Sequence, residues 1–263
     1  MNEETSVIVI DVGGGTTDLT LLEIRRHQKR LEFEVRASTG RRVGGEHVTS
    51  KVAKEIMDMI EEQLLADKDF IKNKCVFPRD NPAFMFDVYQ EAEQAKVALA
   101  SRRMFKYAVR LGFDCIGRDG KGFVFTKRVH VTAAQVERAF GVLLTSISDA
   151  YGELQKVING DLHREINKHL LVGGSGMAQL VIKYVTEMIG DQSVDAPVSS
   201  SRCVADGAAM FHMCTRKKTD VEFVLIDSVP KGLGIVTFNL HSISPAQGIR
   251  PLRRSTLLGA RRR

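Results

Sequence analysis

An apolar run that ends in a carboxylate and three glycines, Val7-Ile8-Val9-Ile10-Asp11-Val12-Gly13-Gly14-Gly15-Thr16-Thr17-Asp18, limits what this chain can fold into more than any other stretch. The aliphatic run reads as a buried strand. Leu19-Thr20-Leu21-Leu22 beyond the glycines reads as its partner, so the glycines form a turn between two strands. Glycine has no Cβ, so its backbone can approach a ligand closely and aim its N–H groups at an anion. Thr16 and Thr17 add hydroxyl donors. Asp11 and Asp18 suit a metal ion held through water, or the orientation of a nucleophilic water. Gly13, Gly14, Gly15, Thr16 and Thr17 thus suit a polyphosphate accompanied by Mg2+. The stretch is not a P-loop, because no Gly-Lys-Ser/Thr follows and the chain continues as a strand. Its plainer reading is a glycine-rich hairpin turn with two solvated aspartates.

Strands are predicted over 6–12, 18–25 and 31–38, an antiparallel meander whose second turn is His27-Gln28-Lys29-Arg30. Gly44-Gly45-Glu46 precedes a helical pattern with apolar residues at Val48, Val52, Ile56, Met59, Ile60 and Leu64. A loop covers 73–82, and a second helix covers about 83–101 through Glu91, Glu93 and Lys96. Strands at 105–116 and 122–131 flank Asp119-Gly120, a hairpin turn signal. Thr132 with Gln135 three residues on gives a capping box and opens a long helix. Its stripe of Val136, Phe140, Leu143, Leu144, Ile147, Tyr151 and Leu154 reads as core. His169–Val172 is a short buried strand, followed by Gly173-Gly174-Ser175-Gly176 and a helix over 177–189. Strand, glycine turn and helix start offer free N–H groups to a phosphate or ribose, although such glycines often serve only steric relief. A further helix over 201–215 carries Gly207-Ala208-Ala209, which allows close packing. A charged break at 216–220 leads to an apolar segment at 221–227.

The 263 residues suffice for one large domain or two small lobes. An apolar content of 43% and a charged content of 27% are those of a soluble globular protein. No apolar run reaches the ~20 residues that span a bilayer, so no membrane partner is expected. Met1-Asn2-Glu3-Glu4-Thr5-Ser6 is neither a secretory signal nor a transit peptide, and a cytoplasmic location is expected. The net charge of +6 owes much to Arg250, Arg253, Arg254, Arg261, Arg262 and Arg263 in the tail. No pattern for base reading accompanies it, so the tail reads as solvated and no specific nucleic acid is expected. Cys75, Cys115, Cys203 and Cys214 are far apart and form no CxxC pair. They read as thiols in a reducing compartment rather than as a zinc site or disulfide framework.

In this order the pieces resemble the seventy-kilodalton heat-shock chaperone family, in the second half of its ATPase domain. Asp11–Asp18 looks like the family's second phosphate loop. Val43-Gly44-Gly45-Glu46 looks like its Leu-Gly-Gly-Glu segment, which touches sugar and phosphates. Glu93-Gln94-Ala95-Lys96-Val97-Ala98-Leu99 looks like its Glu-Arg-Ala-Lys-x-x-Leu helix, and Leu171-Val172-Gly173-Gly174-Ser175 like its adenosine loop. Val204-Ala205-Asp206-Gly207-Ala208-Ala209 and Leu225–Pro230 with Leu233-Gly234-Ile235 resemble its last helix and its interdomain linker. The resemblance covers about 6–235. It implies the α/β, ribonuclease-H-like fold shared with actin and hexokinase, one lobe only, with an inserted α+β subdomain. Residues 1–47 and 132–215 would form the inner part of that lobe and 48–131 its outer part. Residues 216–235 would be the linker with the first strand of the peptide-binding domain, and 236–263 a basic, poorly ordered tail. The resemblance further implies ATP or ADP with Mg2+. Asp11 and Asp18 would act near the metal and Thr16 with Gly13–Gly15 would cradle phosphate. Gly44, Gly45, Glu46, Gly173, Gly174 and Ser175 would line the nucleotide, and Glu93 and Lys96 would flank the nucleoside. Without the resemblance Glu93 and Lys96 read equally as an exposed i, i+3 ion pair. Expected partners are a nucleotide-exchange factor or a J-domain co-chaperone.

The family's first lobe and most of its peptide-binding domain have no counterpart in this sequence. Phosphoryl transfer depends on groups arranged around the terminal phosphate, and one wall of a cleft does not supply them and exclude water too. The expected function is therefore the ATP-binding lobe of a heat-shock 70 kDa type molecular chaperone, serving ATP-driven protein folding and the stress response. Alone, such a lobe would be deficient in hydrolysis. Val97 stands where the family has an arginine that stacks on adenine, Ala100 where it has a serine, Met177 where it has an arginine, and Ser201 where it has an aspartate. Each change removes ~1–2 kcal/mol of base or sugar contact, so phosphate affinity should outlast adenine affinity. A non-catalytic scaffold that binds chaperone cofactors is the alternative function. An actin-like filament protein is a third, opposed by the linker-like 223–230.

Overall fold

The hairpin implied by the glycines is the centre of a six-stranded sheet. A computed structural model describes residues 3–101, 104–162, 165–190, 194–196, 202–216 and 222–226. Strands β1 (Glu3–Val12), β2 (Thr17–His27) and β3 (Arg30–Arg41) form the expected antiparallel meander. Gln28 takes a positive φ in the tight turn between β2 and β3. Strand β6 (Lys168–Val172) lies parallel to β1, β7 (Val194–Asp195) parallel to β6, and β8 (Glu222–Ile226) parallel to β3 on the far edge. The order is therefore β7-β6-β1-β2-β3-β8.

Side-chain alternation decides which face is core. Ile8, Ile10, Val12, Leu19 and Leu21 are fully buried, whereas Val9, Asp11 and Thr20 on the other face are half-buried. Helix α4 (Ala133–Val157) packs across β2 and β3, capped by Thr132 and Gln135 as their spacing predicts. Helix α1 (Gly45–Leu65) packs on α4 through Val48, Val52, Ile56, Ile60 and Leu64, all essentially without solvent contact. Each such aliphatic side chain contributes about 1.5–3 kcal/mol on burial. Helix α3 (Pro82–Ala100) lies against both, started by the Asn81 side chain, which accepts from Ala83 N and Phe84 N.

Beyond these helices, β4 (Lys106–Ile116) and β5 (Gly122–Thr132) form a separate two-stranded ladder with one face buried and the other in solvent. An aromatic cluster of Phe70, Phe77, Phe84, Phe113 and Phe125 fills the space beneath it. The five residues of helix α2 (Lys68–Lys72) are too few to show a period in the sequence. Asp67 caps it and pairs with Lys127 on β5 at 2.5 Å.

Three expectations are corrected. Cys75 and Cys115 are not thiols but a disulfide, with Cα atoms 6.0 Å apart and 40 residues between them in sequence. The period of β4 turns Cys115 inward, and the excursion after α2 lays Cys75 over it, a meeting that sequence separation conceals. The helix expected over 177–189 begins at Gln179, because Ser175–Met177 forms a single 3-10 turn and Ala178 is extended. Among the described residues, nothing packs closely on Gly207-Ala208-Ala209 of helix α6 (Cys203–Thr215). Those residues are exposed, open space surrounds Gly207, and the helix touches β8. Ser201, the tail 236–263 and all of 216–235 except Arg216 and Glu222–Ile226 lie outside the described residues. Among the described residues no helix is long and apolar enough to cross a membrane.

Candidate functional site

Four segments far apart in sequence meet at the ends of β1 and β6. The turn Gly13–Thr16 is closed by Gly13 N donating to Thr16 O at 2.9 Å. Its carbonyls are taken up by the start of α1, since Gly45 N donates to Gly13 O at 3.0 Å and Glu46 N to Gly14 O at 2.8 Å. The N–H groups of Gly14 and Gly15 have no partner among the described residues. The loop thus spends its acceptors on the protein and keeps donors free, the polarity an anion requires.

Gly173 has a φ of +87°, and a Cβ there would stand 2.5 Å from both Asp11 Oδ1 and Val12 O. Only a glycine lets the β6 bend lie so close to the end of β1. The next contact is Gly45, where a Cβ would collide with Ser175 Oγ and sit 3.3 Å from Lys96 Nζ. The Asp11 and Gly173 ends of the two strands therefore share one corner, and Gly45 joins them to α3.

A cleft of about 940 Å³ opens over this corner, lined by Gly14, Gly45, Glu46, Glu93, Lys96, Gly174 and Ser175. The structure brings these seven expected residues together. Gly13, Gly15, Thr16, Gly44 and Gly173 shape the corner but do not line the cleft. Thr17 is fully buried and its Oγ1 donates to Val43 O at 2.8 Å, so it is a brace and not an exposed donor. Asp18 faces Asp11 across the ladder and lies exposed against Gly40.

Burial, reinforced by the facing charge of Asp18, holds the Asp11 carboxyl above its ordinary pKa. A group raised in the folded state favours folding below its unfolded pKa, and that contribution is lost as pH rises through the folded one. At neutral pH an ionised Asp11 therefore works against the fold. Burial also raises Glu93, but hydrogen bonds from Lys96 Nζ (2.6 Å) and Thr49 Oγ1 (2.6 Å) prevail and its pKa ends below the usual value. Among the described residues no group of three or more His, Cys, Asp or Glu side chains could hold a metal, so a cation here needs water and ligand oxygens beside Asp11 and Asp18.

Lys96 is buried, and its ammonium donates to Glu93 Oε2, Thr49 Oγ1 (2.9 Å) and Gly45 O (3.3 Å). The exposed-pair reading of Glu93 and Lys96 is thereby corrected for the lysine. Three bonds use all three of its donors, so Lys96 positions α1 against α3. Lys96→Met should cost about 2 kcal/mol in urea unfolding, less than the roughly 3–5 kcal/mol of a fully buried broken pair because Glu93 stays half in water. Adding Glu93→Gln should recover part of it; a single variant of unchanged stability would contradict this role.

A family model described as Hsp70 protein matches residues 1–243. The chain belongs to the Hsp70 family. Its mixed α/β architecture agrees with the actin-like fold of an Hsp70 ATPase domain. It is similar to the chaperone protein DnaK of Nitrosopumilus maritimus, 29% identical over 240 residues, which cover 89% of this chain and 34% of that relative. DnaK of Psychrobacter cryohalolentis is 30% identical over 241 residues, with the same coverage. DnaK of Methanothermobacter thermautotrophicus is 25% identical over 241 residues, covering 90% and 36%. The chain spans about a third of the length of the curated relatives it matches.

The rest of the cleft lining in this Hsp70 chain is mostly apolar. Val97, Ala100, Phe140, Met177 and Ala178 line it, with Ser101 and Gln179 as its polar groups. Val97 is 61% exposed at the rim. Nothing in the sequence marks Thr49, which donates to Glu93 Oε2 and accepts from Lys96, or the lining residues Ser101 and Gln179 as site residues. Phe140 belongs to the core stripe of α4 and also lines the cleft.

Proposed function

We propose that this cleft binds an Mg2+-nucleotide, ATP or ADP, chiefly through its phosphates. The observation that carries the reading is the inverted hydrogen bonding of the glycine turn: carbonyls occupied by α1, amides of Gly14 and Gly15 free. The free amides and the Thr16 hydroxyl would receive phosphate oxygens. Asp11 and Asp18 would hold Mg2+ through water, and the ion when bound would neutralise phosphate charge. Gly174 and Ser175 would meet the nucleoside beside Glu93. The mostly apolar rest of the lining supports weak discrimination between bases. Membership in the Hsp70 family supports a role as the nucleotide-binding lobe of a chaperone, located in the cytoplasm and served by exchange or J-domain partners. The site as described draws on one wall only, which supports binding without turnover by this chain alone.

Calorimetric titration of folded protein tests the reading. Mg-ADP and Mg-GDP should bind within about fivefold of each other, a difference of about 1 kcal/mol, and adenosine without phosphate should not register. Asp11→Asn should weaken Mg2+-dependent binding roughly tenfold while raising the thermal midpoint at neutral pH, because it removes a carboxylate that burial and Asp18 disfavour. Absence of binding up to millimolar nucleotide would leave the non-catalytic scaffold as the function.

A further inference from the structure

The ladder of β4 and β5 presents one face to α1 and α3 and the other to solvent. On the solvent face three successive rungs are Lys106 opposite Thr132, Ala108 opposite His130, and Arg110 opposite Arg128. Directly opposed side chains in such a ladder have Cβ atoms about 4.5–5.5 Å apart, and like charges placed so are destabilising. Neither arginine has an ion pair or side-chain hydrogen bond with any described residue. Lys127, one residue away and turned to the opposite face, is paired with Asp67. The nearest acid on the basic face is Asp114, two rungs from Arg110 on the side away from Lys106. The free chain thus opposes two guanidinium groups with no counter-charge among the described residues, and a third cation stands two rungs off.

Past Arg110 the same face carries Gly112 opposite Thr126, Asp114 opposite Val124 (77% exposed) and Ile116 (74% exposed) opposite Gly122, so one acid sits among small and apolar residues. His130 is the one aromatic ring on its described rungs, too few to stack successive bases, which disfavours single-stranded nucleic acid as its occupant. We propose that this face docks an extended acidic segment of a partner protein, with carboxylates on alternate residues followed by apolar ones. Alternate residues of an extended chain are about 6.8 Å apart, which is also the spacing of the rungs. A carboxylate between Arg110 and Arg128 would accept charge-assisted hydrogen bonds from both and cancel their repulsion. The interaction is independent of whether the cleft takes a nucleotide.

Fluorescence anisotropy of a labelled peptide of alternating glutamate and valine, titrated with the full chain, tests the proposal. Binding should fall steeply with added salt, and Arg110→Gln and Arg128→Gln should each weaken it roughly tenfold. Each variant should unfold at an unchanged or higher temperature, because each relieves a like-charge pair. Lys183→Gln on α5 (Gln179–Ile189) should alter neither readout. Equal binding by the arginine variants would overturn the proposal, as would equal binding of the matching glutamine–valine peptide. A fall in both unfolding midpoints, or tighter binding of an oligo-dT strand than of the peptide, would overturn it as well.

Discussion

Gly173→Val should unfold at a much lower urea concentration, with a loss of about 4 kcal/mol. Two costs add. A β-branched residue at a φ of +87° carries about 1–2 kcal/mol of backbone strain, more than alanine would. Its Cβ must also displace the Val12 carbonyl or the Asp11 carboxylate, both 2.5 Å away, and forced repacking of this kind costs about 1–3 kcal/mol. Backbone cannot rotate aside as a lysine tip can, so the ends of β1 and β6 have to part. Mg-nucleotide binding should be lost in the surviving folded fraction. Gly174→Ala is the matched control: Gly174 has a helical φ of −60° and nothing within 4 Å of a Cβ, so its midpoint should stay put. A Gly173 variant as stable as that control would show that the β6 bend is not pressed against Asp11.

Reduction of Cys75–Cys115 should cost a similar amount. The cross-link closes a loop of about 40 residues, and loop-closure entropy for that length is roughly 4 kcal/mol in the chain-entropy account. Urea unfolding with and without a dithiol reductant measures it without the cavity that substituting buried Cys115 would create. Hydrogen exchange should localise the change to the excursion after α2. There Phe70, Phe77 and the Asp67–Lys127 pair would remain to hold the segment without its covalent tie. An unchanged midpoint on reduction would mean that the reduced chain is no freer in the unfolded state than the cross-linked one.

The elements with long, regular periods were readable before any coordinates. The α1 row from Val48 to Leu64, the Thr132–Gln135 cap and the alternation of β4 and β5 follow from local stereochemistry, and the structure has them where the sequence placed them. What failed was non-local. Nothing within a few residues of Cys75 encodes that Cys115 will lie beneath it. Thr17 looked like a ligand donor because the acceptor that claims it, Val43 O, is 26 residues away and on another segment. Gly207-Ala208-Ala209 looked like a packing surface because small residues permit close approach; permission is not contact. In the cleft, glycines and acids are marked by type, whereas Ser101 and Gln179, and Thr49 behind Glu93, are ordinary residues recruited by position alone.

Helix α1 begins on the glycine turn itself, fastened by the Gly13 and Gly14 carbonyls, and runs 21 residues to the ladder of β4 and β5. At 1.5 Å per residue that is a rod of about 31 Å. Whatever draws the turn toward an anion also pulls on the near end of that rod. A tilt of one degree at the turn would swing the hairpin end of that rod by only about half an ångström, so the length of α1 holds the two ends of the molecule in nearly fixed register.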